Sequence, residues 1–241
     1  MTESGYVSGG FKSTDQQLSS DSVEQYVQYL VRVTQHLEEQ YGTSFDTLDP
    51  FNEPNTNYWG TGIVNGLPSA RQEGMHVGPQ QQAVVIEALQ KALADAGSDV
   101  KISAMDETNT PTFVTNWTSY PQTIRDAVAQ MNVHTYWSPT TEHVRDLARS
   151  ADKPLWMSEV EGNWDTTGFN PSSTANALGF AGKIADDLRG LQPAAWVLWQ
   201  PVEDYYNMEL QEKLNWGEID IDFDCQYYDT TTDTPLGAED T

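Results

Sequence analysis

The sequence predicts an α/β protein in which helices cover a parallel β-sheet. Predicted strands and helices alternate along the chain, a pattern typical of doubly wound sheets and of closed barrels. The length of 241 residues corresponds to one or two domains of about 150 residues, or to one (β/α)8 barrel of about 250 residues. Polar residues gather where the predicted strands end, and parallel α/β folds place their active sites there. No Gly-x-Gly-x-x-Gly turn follows a predicted strand, so a dinucleotide-binding fold has little support.

The elements follow one another in a regular order. Apolar residues recur at helical spacing over residues 20–42, where Ser20 is a suitable cap, and a short strand is predicted over residues 45–51. The loop from Asn52 to Pro79 is rich in Asn, Gly and Pro, and its length is typical of functional loops. The remaining predicted helices cover residues 79–97, 111–128, 138–150 and 171–190, and the remaining strands cover residues 100–105, 131–136, 154–158 and 194–199.

The charge of the chain excludes several classes of partner. The 36 acidic and 12 basic residues give a formal net charge of −24, which repels the phosphates of nucleic acids and anionic membrane surfaces. The excess of acid is explained either by solubility or by adaptation to high salt.

No apolar run reaches the roughly 18 residues of a membrane span, and the N-terminus lacks the features of a signal peptide. The single cysteine, Cys225, has no partner for an internal disulfide.

Two carboxylates at strand ends are the candidate catalytic residues. Glu53, in Asn52-Glu53-Pro54, follows the strand at 45–51, and Glu159 follows the strand at 154–158. Glycoside hydrolysis needs one carboxylic acid to protonate the leaving oxygen and a second carboxylate to attack the anomeric carbon or to activate water. Asn52 is placed to donate a hydrogen bond to a sugar hydroxyl. The alternative is that both are ordinary solvated acids among the 36.

Five segments resemble glycoside hydrolase family 30, a family of retaining (β/α)8 glycosidases. DPFNEPNTNYW is similar to the acid/base segment of that family, and the other four segments follow in the family's order. Within the family, the set most resembles endo-β-1,6-galactanases. The segments are DPFNEPNTNYW at residues 49–59, RQEG at 71–74, MNVHTYW at 131–137, LWMSEVEG at 155–162 and WVLWQPVED at 196–204.

The resemblance implies a role for individual residues. Glu53 matches the general acid/base on barrel strand 4, and Glu159 matches the nucleophile on strand 7. Asn52 matches the residue that contacts the sugar 2-hydroxyl, while His134 and Tyr136 match residues that line the sugar site and Trp199 matches the aromatic under the ring. The implied mechanism is retention through a glycosyl-enzyme ester, with carboxyl groups about 5–5.5 Å apart. The substrate partner is a polysaccharide or oligosaccharide, and no metal or organic cofactor is implied.

Several further side chains have two interpretations. The candidate aromatic residues either stack on a sugar or fill the core; they are Tyr58, Trp59, Trp137, Trp164 and Trp199. Asp106 and Glu107 bond either sugar hydroxyls or neighbouring residues. His36 and His143 are expected on helix surfaces, and the four histidines lack the paired spacing of a metal site. Asn116-Trp-Thr118 is a glycosylation sequon.

The match to the family is partial. Residues 1–224 are predicted to form an incomplete (β/α)8 TIM barrel with strands 4–8 and the end of strand 3, without strands 1 and 2 or the family's β-sandwich; residues 225–241 are predicted to be an acidic, disordered tail. Open sheet edges favour aggregation, so this chain alone is expected to fold poorly or to be inactive. The full-length protein is expected to be a secreted monomer. The alternatives are an inactive carbohydrate-binding remnant, or a family 30 enzyme acting on β-1,6-glucan, glucuronoxylan or glucosylceramide.

Overall fold

A computed structural model gives the fold of the chain. It describes residues 16–57, 59–70, 74–138, 141–162, 173–204, 219–221, 228–229 and 234–235. The chain divides into two compact units. The first comprises Met1–Glu159 and Ala185–Val197, and the second comprises Val160–Ile184 and Leu198–Thr241.

Helices and strands alternate through most of the described chain. A 3-10 turn at Ser20–Ser22 leads into the first helix. The helices are α1 (Val23–Tyr41), α2 (Pro79–Asp95), α3 (Thr110–Ser119), α4 (Gln122–Ala127), α5 (Glu142–Ser150) and α6 (Thr174–Gly190). The strands are β1 (Thr47–Leu48), β2 (Thr61–Val64), β3 (Leu67–Ala70), β4 (Lys101–Glu107), β5 (Val128–His134), β6 (Leu155–Glu159), β7 (Ala195–Trp196), β8 (Val202–Asp204), β9 (Ile219–Ile221), β10 (Tyr228–Asp229) and β11 (Thr234–Pro235).

A parallel sheet of five strands organises the first unit. Its order is β1-β4-β5-β6-β7, so each strand lies beside the next sheet strand along the chain. Every pairing in this sheet is parallel. The carboxyl ends of the strands therefore lie at one edge of the sheet, and the prediction of a parallel α/β fold is confirmed.

Helix boundaries follow local sequence signals. α1 buries Val23, Tyr26, Val27 and Val31 on one face, as its apolar spacing predicts, and stops at Gly42. Gly42 adopts the left-handed φ of 62° and donates its N–H to the carbonyl of Glu38, so it closes the last turn. α2 begins with Pro79 in its first turn, where the missing N–H has no helical partner to lose.

Two predicted segments differ from the structure. The helix expected over residues 111–128 is two helices, because the chain leaves the helical conformation at Tyr120 and α4 begins only after Pro121. The loop after Asn52 contains the hairpin formed by β2 and β3. Its turn is Asn65-Gly66, with φ values of 53° and 78°, which is the Asn-Gly signal of a tight hairpin that the loop prediction overlooked.

The apolar core lies where the helices pack on the sheet. α2, α3 and α4 contact β4 or β5, and the largest fully buried apolar side chains include Ile86, Leu89, Phe113, Met105 and Met131. Successive residues of β5 point to opposite faces. Met131 and Val133 are apolar on one face, whereas Gln130, Asn132 and His134 are polar and buried on the other.

The second unit contains two short strand pairs. β8 pairs with β9 in parallel, and β10 pairs with β11 in antiparallel orientation. The latter pair falls within the segment predicted to be disordered, and the division at residues 224 and 225 stays a prediction. Among the described helices, none has the length and apolar character needed to cross a membrane.

Candidate active site

His134 lies at the centre of a cluster of three carboxylates. Its Nδ1 atom is 3.1 Å from Glu53 Oε1 and 3.5 Å from Glu159 Oε1, and its Nε2 atom is 3.7 Å from Asp106 Oδ1. Each of the four residues lies at or just after the carboxyl end of a neighbouring strand: β1, β4, β5 and β6. The parallel sheet therefore brings together residues that are up to 106 positions apart in the sequence.

The backbone around Glu53 is held in an uncommon conformation. Glu53 has a φ of 48° and Asp106 a φ of 46°, the left-handed region that non-glycine residues rarely occupy. Such a conformation costs about 1–3 kcal/mol and persists where the surroundings impose it. The Glu53 N–H donates to the Asp106 carbonyl at 2.8 Å, and the Glu53 carbonyl accepts from Trp59 Nε1 at 2.8 Å and from Thr56 Oγ1 at 3.0 Å. These bonds connect the turn to the end of β4 on one side and to the following loop on the other.

The groups around Glu159 have opposing effects on its pKa. Burial raises its pKa, His134 lowers it, the Glu53 carboxylate raises it, and a hydrogen bond from Tyr136 lowers it, leaving a pKa of about 7. The Tyr136 hydroxyl donates to Glu159 Oε1 at 3.2 Å. The Glu159 side chain is 17% exposed, so its carboxylate remains open to a reactant.

His134 carries a positive charge at neutral pH. Burial alone would lower its pKa, because the side chain is only 1% exposed. The carboxylates of Asp106, Glu53 and Glu159 outweigh that effect and raise the pKa to about 10. The imidazolium thus offsets the mutual repulsion of the surrounding acids.

A second buried cluster lies beside the first. Glu107 is fully buried, and its two oxygens accept the Asn55 N–H at 3.2 and 3.1 Å. Asn116 Nδ2 donates to Glu107 Oε2 at 2.6 Å, and Asn55 Nδ2 donates to Asn116 Oδ1 at 2.7 Å. Burial raises the pKa of Glu107 to about 8, although the hydrogen bonds from the Asn55 and Thr108 backbone lower it. Of the two interpretations open for Glu107, the contacts favour bonding to neighbouring residues.

A series of hydrogen-bonded polar side chains lies on the same face of β5 as His134, and it was not predicted. Gln130 Nε2 donates to Asn132 Oδ1 at 2.8 Å, and Asn132 Nδ2 donates to Asp49 Oδ2 at 3.1 Å. Burial and the charge of Asp106 raise the pKa of Asp49 well above its usual range. The available signal was the alternation of polar residues at positions 130, 132 and 134 within an otherwise apolar strand.

The remaining candidate residues lie in different surroundings. Trp59 is 4% exposed and packs against Gly74, where an added Cβ would lie 2.4 Å from the ring. Asn52 is exposed, and Trp199 lies in the second unit with 42% of its surface exposed. Tyr58 and Trp164 lie outside the described residues. Sugar contact by these five residues stays a prediction.

The burial of the other side chains discussed from the sequence differs from one residue to the next. Trp137 is 86% exposed beside Tyr136, with ring centroids 5.9 Å apart. His36 and His143 are exposed on helices, as expected. The Asn116 side chain of the sequon is fully buried, because its amide belongs to the Glu107 cluster.

The central cluster also has the spacing of metal ligands. Glu53, His134 and Glu159 each offer one ligand atom, and these atoms lie within 4.8 Å of one another. A metal would bind neutral imidazole, so it would displace the proton that the neighbouring acids hold on His134 by raising its pKa to about 10.

Comparison with known sequences identifies relatives of the chain. Residues 3–141 match the model of O-glycosyl hydrolase family 30. The chain is 37% identical over 266 aligned positions to an exo-β-1,6-galactobiohydrolase of Bifidobacterium longum subsp. longum, covering 93% of the chain and 17% of the relative. It is 29% identical over 188 positions to an endo-β-1,6-galactanase of Hypocrea rufa, covering 77% of the chain and 36% of the relative.

Solved structures show a similar fold. A conserved exported protein from Bacteroides fragilis matches with a TM-score of 0.62 and 23% identity, covering 81% of this chain and 45% of that one. A family 30 subfamily 8 xylanase from Clostridium acetobutylicum matches with a TM-score of 0.58 and 19% identity, covering 95% and 48%. The chain thus spans less than half the length of each of these four proteins, and its five-stranded parallel sheet corresponds to part of a TIM barrel.

Proposed function

Because the chain belongs to O-glycosyl hydrolase family 30, we propose that the protein is a retaining glycosidase that cleaves β-1,6-linked galactan. The observation that carries this proposal is the approach of Glu53 and Glu159, whose carboxylate oxygens lie within 4.8 Å of each other beside His134. That spacing suits direct attack by a carboxylate. Inverting enzymes leave room for a water between carboxyl groups about 6.5–9.5 Å apart.

The proposed reaction has two displacements. In the first, a Glu159 oxygen attacks the anomeric carbon, the glycosidic C–O bond breaks, and the protonated Glu53 carboxyl gives its proton to the leaving oxygen. In the second, the Glu53 carboxylate takes a proton from water, and the resulting hydroxide displaces Glu159 from the anomeric carbon. Only ionised Glu159 attacks, so its pKa of about 7 predicts that activity falls on the acid side of that pH.

The remaining residues of the cluster support these roles. His134 holds both catalytic carboxylates within 3.5 Å of one imidazolium nitrogen and compensates their charge. Tyr136 fixes the orientation of Glu159 with its hydroxyl. Asp106 Oδ1 is buried and accepts no hydrogen bond from the described residues, so it is a suitable acceptor for a sugar hydroxyl.

The substrate proposal rests on the two sequence relatives. Their names share the β-1,6-galactan linkage and differ in whether cleavage is at the chain end or internal. We propose internal cleavage of the β-1,6-galactan side chains of arabinogalactan, because the five family segments most resemble those of endo-β-1,6-galactanases. The resemblance to a conserved exported protein, together with a polymeric substrate, supports secretion of the full-length protein.

A mechanism-based label tests the assignment. In the full-length protein, 2,4-dinitrophenyl 2-deoxy-2-fluoro-β-1,6-galactobioside should form a stable ester on Glu159, which peptide mass spectrometry locates. Glu159→Gln should abolish both label and turnover, whereas Glu161→Gln, two residues away, should keep them. Full turnover in Glu159→Gln, or a label on another residue, would refute the nucleophile assignment. Calorimetric binding of galactan oligosaccharides without labelling would instead support a binding remnant.

A further inference from the structure

Glu107 is a buried carboxylate for which the proposed reaction has no step. It directly follows Asp106 at the end of β4, yet its side chain is fully buried, in contrast to Asp106. We propose that Glu107 is a positioning residue that holds the acid/base Glu53 in place by fixing the turn that carries it. This inference rests on the proposed function, since it assumes that Glu53 is the proton donor.

The hydrogen bonds of Glu107 connect three separate segments. Both of its carboxyl oxygens accept the backbone N–H of Asn55, two residues after Glu53, at 3.1–3.2 Å. Asn116, from α3, donates to the same carboxylate at 2.6 Å and accepts from the Asn55 side chain at 2.7 Å. Glu107, Asn55 and Asn116 therefore form a closed ring of hydrogen bonds that ties the turn to β4 and to α3.

The turn needs such a constraint. Glu53 occupies a left-handed φ of 48°, a conformation that a non-glycine residue keeps only where its surroundings impose it. On one side, the Glu53 N–H is held by the Asp106 carbonyl, and on the other the Pro54 carbonyl accepts the Val77 N–H at 2.7 Å. The Asn55 N–H belongs to the same peptide as the Pro54 carbonyl, so its bond to Glu107 holds the other edge of that peptide, and the backbone is held on both sides of Glu53.

Glu107 is unsuited to a direct role in the reaction. No part of it is exposed, and its oxygens already accept bonds from Asn55, Asn116 and the Thr108 backbone. With no exposed surface and three donors already bonded to it, the Glu107 carboxyl group has no access to a sugar hydroxyl. Its influence on the reaction must therefore pass through Asn55 and the turn.

A displaced acid/base impairs both displacements, but kcat/KM reports only the first, in which Glu53 protonates the leaving oxygen. Protonation matters when the leaving group is a poor one, such as phenol, and matters little for 2,4-dinitrophenol, which departs as a stable anion. Nucleophilic attack by Glu159 is required for both. Loss of a residue that positions Glu53 should therefore slow the phenyl glycoside much more than the dinitrophenyl glycoside, whereas a general loss of structure should slow both equally.

The test compares Glu107→Gln with Asp187→Asn in the full-length protein. Asp187 is a matched control because it is also buried and accepts hydrogen bonds from Thr135 and Trp196. With phenyl and 2,4-dinitrophenyl β-1,6-galactobiosides, Glu107→Gln should lower kcat/KM about 100-fold on the phenyl substrate, the scale of a 1 Å misplacement, and less than about tenfold on the dinitrophenyl substrate. Asp187→Asn should change both substrates by the same factor.

A second measurement is independent of activity. Hydrogen exchange at the Asn55 amide should become at least about tenfold faster in Glu107→Gln than in the wild type, with no change in Asp187→Asn. Equal losses on the two substrates, or an unchanged exchange rate at Asn55, would overturn the inference. If the wild type cleaves neither glycoside, the proposed function fails, and the exchange rate alone decides whether Glu107 holds the turn.

Discussion

Replacing His134 with glutamine removes the positive charge at the centre of the carboxylate cluster. The imidazolium nitrogen lies 3.5 Å from Glu159 Oε1, and an opposite charge at about 4–6 Å or less lowers a carboxyl pKa by about 1–3 units. Without it, the pKa of Glu159 should rise from about 7 to between about 8 and 10. Since only ionised Glu159 attacks, kcat/KM at pH 6 should fall about tenfold for each unit of that rise.

The assay is the pH dependence of kcat/KM with an aryl β-1,6-galactobioside, measured on the full-length protein. The acid limb should lie near pH 7 in the wild type and move to higher pH in His134→Gln, with part of the lost activity recovered as the pH rises. His143→Gln, the same substitution at an exposed helical position, should leave the limb in place. An acid limb within half a pH unit of the wild type in His134→Gln would refute the electrostatic role of His134.

The same substitution should also change the pH dependence of stability. The pKa of His134 is raised in the folded state from 6.5 to about 10. Its stabilising contribution is therefore complete below about pH 6.5 and is lost as the pH rises through about 10. The shift corresponds to at most about 5 kcal/mol. Urea unfolding should show a larger difference between wild type and His134→Gln at pH 6 than at pH 10, and an equal difference at both would contradict the raised pKa.

Three further predictions concern other parts of the fold. Burial raises the pKa of Glu107 from 4.5 to about 8, so the free energy of unfolding should fall as the pH rises from about 4.5 to 8; this slope, measured with urea, should be flatter in Glu107→Gln. Gly74→Ala places a Cβ 2.4 Å from the Trp59 ring and should destabilise the fold by about 1–3 kcal/mol, whereas Gly78→Ala, with no atom within 4 Å of its Cβ, should unfold at nearly the wild-type urea concentration. Secretion from a eukaryotic host should leave folded protein without a glycan at Asn116, because its amide is buried against Glu107; a glycosidase-sensitive mass at that peptide in folded, secreted protein would contradict this packing.

The position of the candidate site could be predicted from the sequence, because polar residues mark the ends of the predicted strands. Glu53 lies five residues after β1 and Glu159 is the last residue of β6, and parallel strands bring their carboxyl ends to one edge. His134 was found in the same way. The strand boundaries were less accessible: β1 has two residues where seven were predicted, since it pairs within the sheet with β4 alone.

The Glu107 cluster was not accessible in this way. Asn55 and Asn116 are 61 positions apart, and no periodic pattern connects them. Asn116 also matched a glycosylation sequon, a local pattern that indicates an exposed residue, while its packing depends on where α3 meets the turn after β1. Hydrogen bonds between distant polar side chains depend on tertiary structure, which short motifs do not encode.

The unequal pairing along the sheet has a consequence for the order of folding. β4 and β5 are each seven residues long and are joined through α3 and α4, with Ile102 paired to Val128, whereas β1 pairs only two residues with β4 across a longer stretch of chain. Closing the longer loop between β1 and β4 costs more entropy than closing the loop between β4 and β5, and it forms fewer strand pairings. We expect the β4–β5 segment to be formed in the transition state for folding, with high Φ-values at Val133, and β1 to dock later, with low Φ-values at Leu48. Asp106 and His134 would then be in place before Glu53 reaches them, so the transition state would already hold half of the charged cluster.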